Sequence, residues 1–205
     1  EKEKKMSYYN AEESKKRVAK VVELLQKEGA DIALVYYDEL NIANGWYLTG
    51  WCPQFEKGAV LIGKDGTAML LGGPESEPFA IQSSAINDTR CFKVFMVPDE
   101  EYPNAKIIGF PELFRELNEK FPVRRVGLVG MSEMPHELHR QLEEGFAGCE
   151  LVDLTDQYLK FRYVKSDWEV EQARAATRLS YLAYKEMLKK VKPGEKEFAV
   201  ADRYG

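Results

Sequence analysis

The sequence predicts a three-layer α/β domain: a mixed sheet flanked by helices and followed by a long helix. Three observations carry this expectation. Helix-like and strand-like stretches alternate from residue 10 to residue 162, a pattern that stacks helices on the faces of a sheet. One hairpin, 59–62 and 67–71 around Asp65-Gly66, forces an antiparallel pair into a sheet otherwise joined through helices. Ser166 and Glu169 have the spacing of a capping box. Beyond them Val170, Ala173, Thr177, Tyr181, Tyr184 and Leu188 recur at three- and four-residue steps, one face of a helix running to Val191.

Taken in order, Asn10 caps a first helix, with Glu13 three residues on. Val18, Val21, Val22 and Leu25 form its apolar face, and Gly29 ends it. Residues 31–37, short and rich in β-branched and aromatic side chains, read as a buried strand. Residues 38–50 read as a loop with turn residues Asn41, Asn44 and Gly45. The hairpin follows, then a helix over 74–85 with Pro74 as its first residue. Residues 91–97 read as a strand with Phe92, Val94 and Met96 alternating onto one face, and 98–103 as a loop. A helix over 111–120, a strand over 125–129 and a helix over 135–144 capped by Ser132 or Glu133 come next. A strand over 150–153 and a short helix from Thr155 to Arg162 complete the alternation. Pro193-Gly194 stops the long helix, and a new start follows at Glu195. The expected division is a first domain over 1–160 and the opening of a second over 161–205, so the chain reads as part of something longer.

Composition excludes several classes. With 44% hydrophobic and 31% charged residues, the chain has the make-up of a soluble globular protein. No run approaches the ~20 apolar residues that span a bilayer. Residues 1–5 are charged but lead into no apolar core of a secretory signal, and a solvated end is expected there. A net charge of −5, without an extended basic block, argues against a nucleic-acid surface. Cys52, Cys91 and Cys149 are odd in number and far apart; reduced thiols in a cytoplasmic protein fit best.

No residue set assembles a catalytic centre on its own. His136 and His139 share one short helix, but a metal would need further ligands, and solvated helix residues are the better reading. Ser83, Ser84 and Ser132 lack a nucleophile-elbow pattern. Cys52 reads as a small buried apolar residue rather than a reactive thiol. Gly72-Gly73-Pro74-Glu75 turns into a helix, but its acid would repel a phosphate. Trp46, Tyr47 and Trp51 are the more interesting set. They read first as a hydrophobic cap over the sheet, and alternatively as an aromatic rim closing over a ligand or a neighbouring subunit.

Several pieces together resemble the amino-terminal half of the creatinase/Xaa-Pro peptidase family, the pita-bread metallopeptidases of the aminopeptidase P and prolidase type. Gly29-Ala30-Asp31 and the following strand resemble the family's opening. Asn44-Gly45-Trp46-Tyr47-Leu48-Thr49-Gly50 is similar to its Asn-x-x-Tyr-Leu-Thr-Gly. The hairpin with Glu75 after it is a third match. Arg162-Tyr163-Val164-Lys165-Ser166-Asp167-Trp168-Glu169, Ala173, Ala176, Lys192-Pro193-Gly194 and Glu197 are similar to its linker, first catalytic-domain helix and next helix start.

The resemblance implies a creatinase N-terminal-like fold and a parent that hydrolyses Xaa-Pro bonds with two divalent metals (manganese, cobalt or zinc), bound by two Asp, one His and two Glu. Those ligands follow the second helix start in the family, so none falls on a residue of this chain. The chain is expected to be inactive and to bind no stoichiometric metal. The implied role is a non-catalytic N-terminal domain that supports homodimerisation and access of a proline-containing peptide, with Trp46, Tyr47 and Trp51 as the access or interface candidates. Two alternatives remain: an inactive binding module of the same fold, like the histone-chaperone subunit that resembles aminopeptidase P, and the N-terminal domain of a creatinase-type amidinohydrolase. The helix over 167–191 is expected to pack on a neighbouring molecule or to be poorly ordered, because its apolar face has no partner in this chain.

Overall fold

The computed structural model describes residues 9–53, 55–98 and 101–202; the charged residues 1–5 and part of the 98–103 loop lie outside these. Two compact units divide at Arg162, Glu1–Arg162 and Tyr163–Gly205. The first contains α1 (Ala11–Glu28), β1 (Ile32–Tyr37), α2 (Ala43–Thr49), β2 (Gly58–Gly63), β3 (Ala68–Gly72), α3 (Glu77–Ser83) and β4 (Thr89–Phe92), which runs into a 3-10 turn (Lys93–Phe95). Then come β5 (Ile107–Ile108), α4 (Phe110–Lys120), β6 (Arg125–Val129), α5 (His136–Gly145), β7 (Glu150–Asp153) and α6 (Thr155–Tyr163). The second unit holds α7 (Asp167–Lys190) and α8 (Glu197–Asp202).

The seven strands form one sheet in the order β5-β4-β3-β2-β1-β6-β7. Only β2 runs against its neighbours, because the hairpin reverses the chain twice; its register places Ala59 opposite Leu71 and Ile62 opposite Ala68. All other pairings are parallel. Alternation along the strands therefore builds two cores. Ile32, Leu34, Tyr36, Leu61 and Leu128 face α4 and α5 through Leu113, Leu117, Leu138 and Leu142. Ala33, Val35, Tyr37, Val60 and Val129 face the other way, toward Val21 and Leu25 of α1, Leu48 of α2 and Tyr158 of α6. This is the expected three-layer mixed α/β arrangement.

Four local expectations are corrected. Residues 43–49 form a helix, not a loop, although Asn44 and Gly45 are poor helix formers. Tertiary packing decides it: a Cβ on Gly45 would lie 2.2 Å from the buried Tyr37 ring, so only glycine lets α2 approach β1. The helix expected from Pro74 begins at Glu77, because the N–H and hydroxyl of Ser76 turn aside to the carboxylate of Glu56. The strand expected over 91–97 ends at Phe92. The 3-10 turn places Phe95 three residues on, so both rings enter one core, with centroids 5.9 Å apart and Phe110 4.7 Å from Phe92. Finally, α5 is entered from Pro135 without a side-chain cap; Ser132 donates its hydroxyl to Glu133 instead.

Asp31 clamps the edge of the sheet away from α2. Its carboxylate accepts from Lys64 Nζ at 2.6 Å, Arg124 N–H at 2.7 Å and Arg125 N–H at 3.0 Å, tying β1 to the hairpin turn and to the start of β6. Burial pulls this carboxyl upward, but the three hydrogen bonds outweigh it and hold it below the usual aspartate value. A depressed acid contributes stability above its unfolded pKa and loses it as pH falls through the folded one. Stability is therefore expected to fall as pH drops below about 4, and Asp31→Ala to cost about 1 kcal/mol at neutral pH, the exposed lysine being screened. Urea unfolding of both proteins at neutral pH and in acid checks this: the difference between them shrinks in acid.

In the second unit, Ser166 caps α7 as expected. Its hydroxyl accepts from Glu169 N–H at 3.2 Å while Glu169 Oε2 accepts from Ser166 N–H at 2.8 Å. Leu179 (69% exposed), Tyr181 and Leu188 of this helix lie open, as does Phe198 of α8. No helix among the described residues is long and apolar enough to cross a membrane.

Candidate functional site

Because every strand but β2 runs the same way, the carboxyl ends of β1, β3, β4, β6 and β7 share one edge of the sheet with the start of β2. Ligands of open α/β sheets bind at such an edge, where the strand order changes direction. Here the chain leaves β1 toward β2 and later returns to the other side of β1 with β6. α2 and residues 50–53 and 55–57 sit at this edge, and with them the sequence candidates Trp46, Tyr47 and Trp51.

Asn44 fastens α2 to α6: its backbone carbonyl accepts from the Tyr158 hydroxyl at 2.6 Å and its Oδ1 from Arg162 Nη1 at 2.7 Å. The far end of α2 is held by α1. Tyr47 O accepts from Arg17 Nη1 at 2.7 Å and from the Tyr9 hydroxyl, and Leu48 O accepts from Ser14 Oγ at 2.6 Å. A cation at a helix C-terminus meets the negative end of the dipole. Arg17 is 2% exposed, lies 4.1 Å over the Tyr47 ring and 3.7 Å from the buried carboxylate of Glu13. Burial pushes the Tyr9 hydroxyl up to about 12 despite this arginine, so it stays a proton donor. Gly50, at φ 63°, closes α2 against the face of Tyr9.

The three candidates separate. Tyr47 is buried and works as part of this arginine-tyrosine cluster; Trp46 is 40% exposed; Trp51 is half-buried beside Cys52. Sequence reasoning missed Ser14 and Arg17 and placed Glu13 at the Asn10 cap; Asn10 Oδ1 accepts from Glu12 N–H instead, and Glu13 is buried beside Arg17. It also missed a second cluster around Glu56, whose buried carboxylate takes the N–H and hydroxyl of Ser76 and presses on Gly73. Burial raises the Glu56 carboxyl, the Ser76 contacts lowering it only in part. Near it, Trp51, Cys52, Phe55, Glu75, Ser76 and Phe79 line a cavity of about 540 Å³. Burial, with the charges of Asp38 and Glu39, pushes the Cys52 thiol up to about 11, so it is a neutral thiol rather than a nucleophile.

A metal centre does not form from these residues. His136 is exposed, His139 Nδ1 lies 3.5 Å from Glu143, and among the described residues no group of three His, Cys, Asp or Glu side chains could hold an ion. No step of a metal-dependent reaction is assigned to this chain.

Residues 17–164 match the family model described as the Creatinase/Prolidase N-terminal domain. The chain belongs to this family. Its fold is shared with a prolidase from Pyrococcus horikoshii OT3 at 20% identity and a TM-score of 0.63, over 92% of this chain and 47% of that one. An X-Pro aminopeptidase from Thermotoga maritima MSB8 matches at 19% identity and a TM-score of 0.69, over 91% of this chain and 47% of its own. A Xaa-Pro dipeptidase from Bacillus anthracis matches at 17% identity and a TM-score of 0.61, over 95% and 48%. The chain thus spans about half the length of these solved relatives. No match was found among curated proteins. In this creatinase/prolidase N-terminal domain the stretch 44–50 falls on α2, the helix that Arg17 caps and Gly50 closes.

Proposed function

We propose that this chain is the non-catalytic N-terminal domain of an Xaa-Pro dipeptidase or aminopeptidase, and that residues beyond 162 begin the catalytic domain. The observation that carries this reading is the match to the family's N-terminal domain over 17–164, in a chain half as long as prolidases and X-Pro aminopeptidases of the same fold. The open apolar side chains of α7 support it, since such a face calls for more protein against it. In this reading the parent is a cytoplasmic homodimer that uses two divalent metals (manganese, cobalt or zinc) on a proline-containing peptide. The N-terminal domain contributes to the dimer contact and to substrate access. Trp46 and Trp51 have the exposure to serve there, and Tyr47 fixes the helix that carries Trp46.

The test is to express the reading frame that encodes this chain through to its stop codon and assay Xaa-Pro peptides with each metal. Metal-dependent cleavage before proline is expected, with Trp51→Ala raising KM more than it lowers kcat. A product without cleavage under any metal would overturn the peptidase reading.

A further inference from the structure

Of the cavity beside Trp51, the peptidase reading uses only Trp51 itself. Three aromatic residues, Trp51, Phe55 and Phe79, line the cavity together with Glu75, Ser76 and Cys52, whose thiol is neutral. Phe55 is 73% and Phe79 64% exposed, unusual for rings this large. Among the described residues, none of the three rings stacks on another aromatic ring or carries an arginine or lysine over its face. Trp51 packs in part against the core beneath it, while Phe55 and Phe79 leave most of their ring surface open. Glu75 is partly buried, and among the described residues it has no ion-pair partner and no lysine or arginine lines the cavity.

The cavity is also held in shape. Phe55 is the only non-glycine residue with positive φ among those described, at 69°, a conformation that a bulky side chain adopts only under constraint. The constraint comes from its neighbours: Glu56 is locked onto Ser76, and Lys57 N–H donates to Phe95 O at 3.1 Å. The segment is thereby pinned on the side away from solvent while the Phe55 ring is turned outward. Among the described lining residues the one carboxylate is that of Glu75, so what charge the lining carries is negative.

We propose that this cavity binds a small organic cation, an alkylated ammonium, with the ammonium against the faces of Trp51, Phe55 and Phe79 and Glu75 supplying the counter-charge. Aromatic faces attract a cation through their quadrupole, and alkylated ammonium ions keep that attraction because they are weakly hydrated. A phosphate or carboxylate ligand would meet Glu75 and find no cation. A purely apolar ligand would leave that carboxylate partly desolvated without a partner. Trp51 is common to both readings, but Phe55, Phe79 and Glu75, which the test varies, have no part in the peptidase reading, and the inference needs no catalytic domain.

The test is calorimetric titration of the 205-residue chain with choline and with the neutral isostere in which carbon replaces the ammonium nitrogen, at matched ionic strength. Saturable binding of choline is expected, tighter than that of the isostere by about tenfold. Phe55→Leu and Phe79→Leu each weaken it by about threefold, as the loss of one ring does, and Glu75→Gln weakens choline but not the isostere. These side chains are mostly on the surface, and unchanged circular dichroism confirms that the variants fold. A peptide carrying trimethyllysine, titrated alongside, tells whether the cation arrives free or attached to a protein. The proposal is overturned if choline gives no saturable binding, if the isostere binds equally well, or if the aromatic variants bind like the parent. Failure here leaves the peptidase reading standing, and failure of Xaa-Pro cleavage leaves this one standing.

Discussion

Arg17→Ala is expected to destabilise the first unit by about 4 kcal/mol. The reason lies in what it leaves behind. Glu13, 6% exposed, loses the one cation within 4 Å of it that is itself buried. Tyr47 O loses the Arg17 donor, and the Tyr47 ring loses the guanidinium lying over it. Lys16 Nζ remains 3.7 Å from Glu13, but it is solvated and screened, so most of the ~3–5 kcal/mol cost of breaking a buried pair is expected to stand. Arg17→Met separates packing from charge: the stem is replaced but Glu13 is still stranded, so it should recover only part of the loss. The double variant Glu13→Gln/Arg17→Met should recover more, because no charge remains buried. Urea unfolding of the four proteins checks this. A loss below about 1 kcal/mol for Arg17→Ala would mean that water reaches Glu13 and that the cluster does not hold α2.

Gly50→Ala is expected to cost about 3 kcal/mol, through two separate penalties. At φ 63° an added Cβ strains the backbone. That atom would also lie 2.1 Å from Cγ of Tyr9, inside a ring whose hydroxyl is fixed on Tyr47 O, so the ring cannot swing away without giving up that bond. Gly29→Ala is the control. Its φ is 65°, but nothing lies within 4 Å of an added Cβ, so only the backbone penalty of about 1 kcal/mol applies. Thermal melts of the two variants should differ in that order; equal shifts would show that Tyr9 yields to the new atom.

The layers of this fold were legible because residue period and burial agree in most elements. The stretches 125–129 and 150–153 coincide with β6 and β7, and the Asp65-Gly66 turn does close the hairpin. The errors share a cause. In α2 and in the 3-10 turn after β4, a tertiary contact overrides a local preference: Tyr37 demands Gly45, and the Phe110 core takes both Phe92 and Phe95. The polar cluster under α2 was missed because only the apolar residues of α1 were counted toward its buried face. Yet Ser14, Arg17, Val21 and Leu25 follow one another at three- and four-residue steps, so the stripe was present in the sequence. The Glu56–Ser76 contact joins residues twenty apart, and no local spacing signals it.

If these 205 residues form an N-terminal domain, their own side chains perform no peptide hydrolysis. The most direct test is to assay the purified chain against Xaa-Pro dipeptides and longer Xaa-Pro peptides with manganese, cobalt or zinc, and to measure metal content after dialysis. Turnover no faster than the metal-only blank, with well under one metal bound per chain, is the expected result. Metal-dependent cleavage before proline by this chain alone would contradict it, and a metal-binding, catalytic set of residues would then have to be sought within residues 1–205.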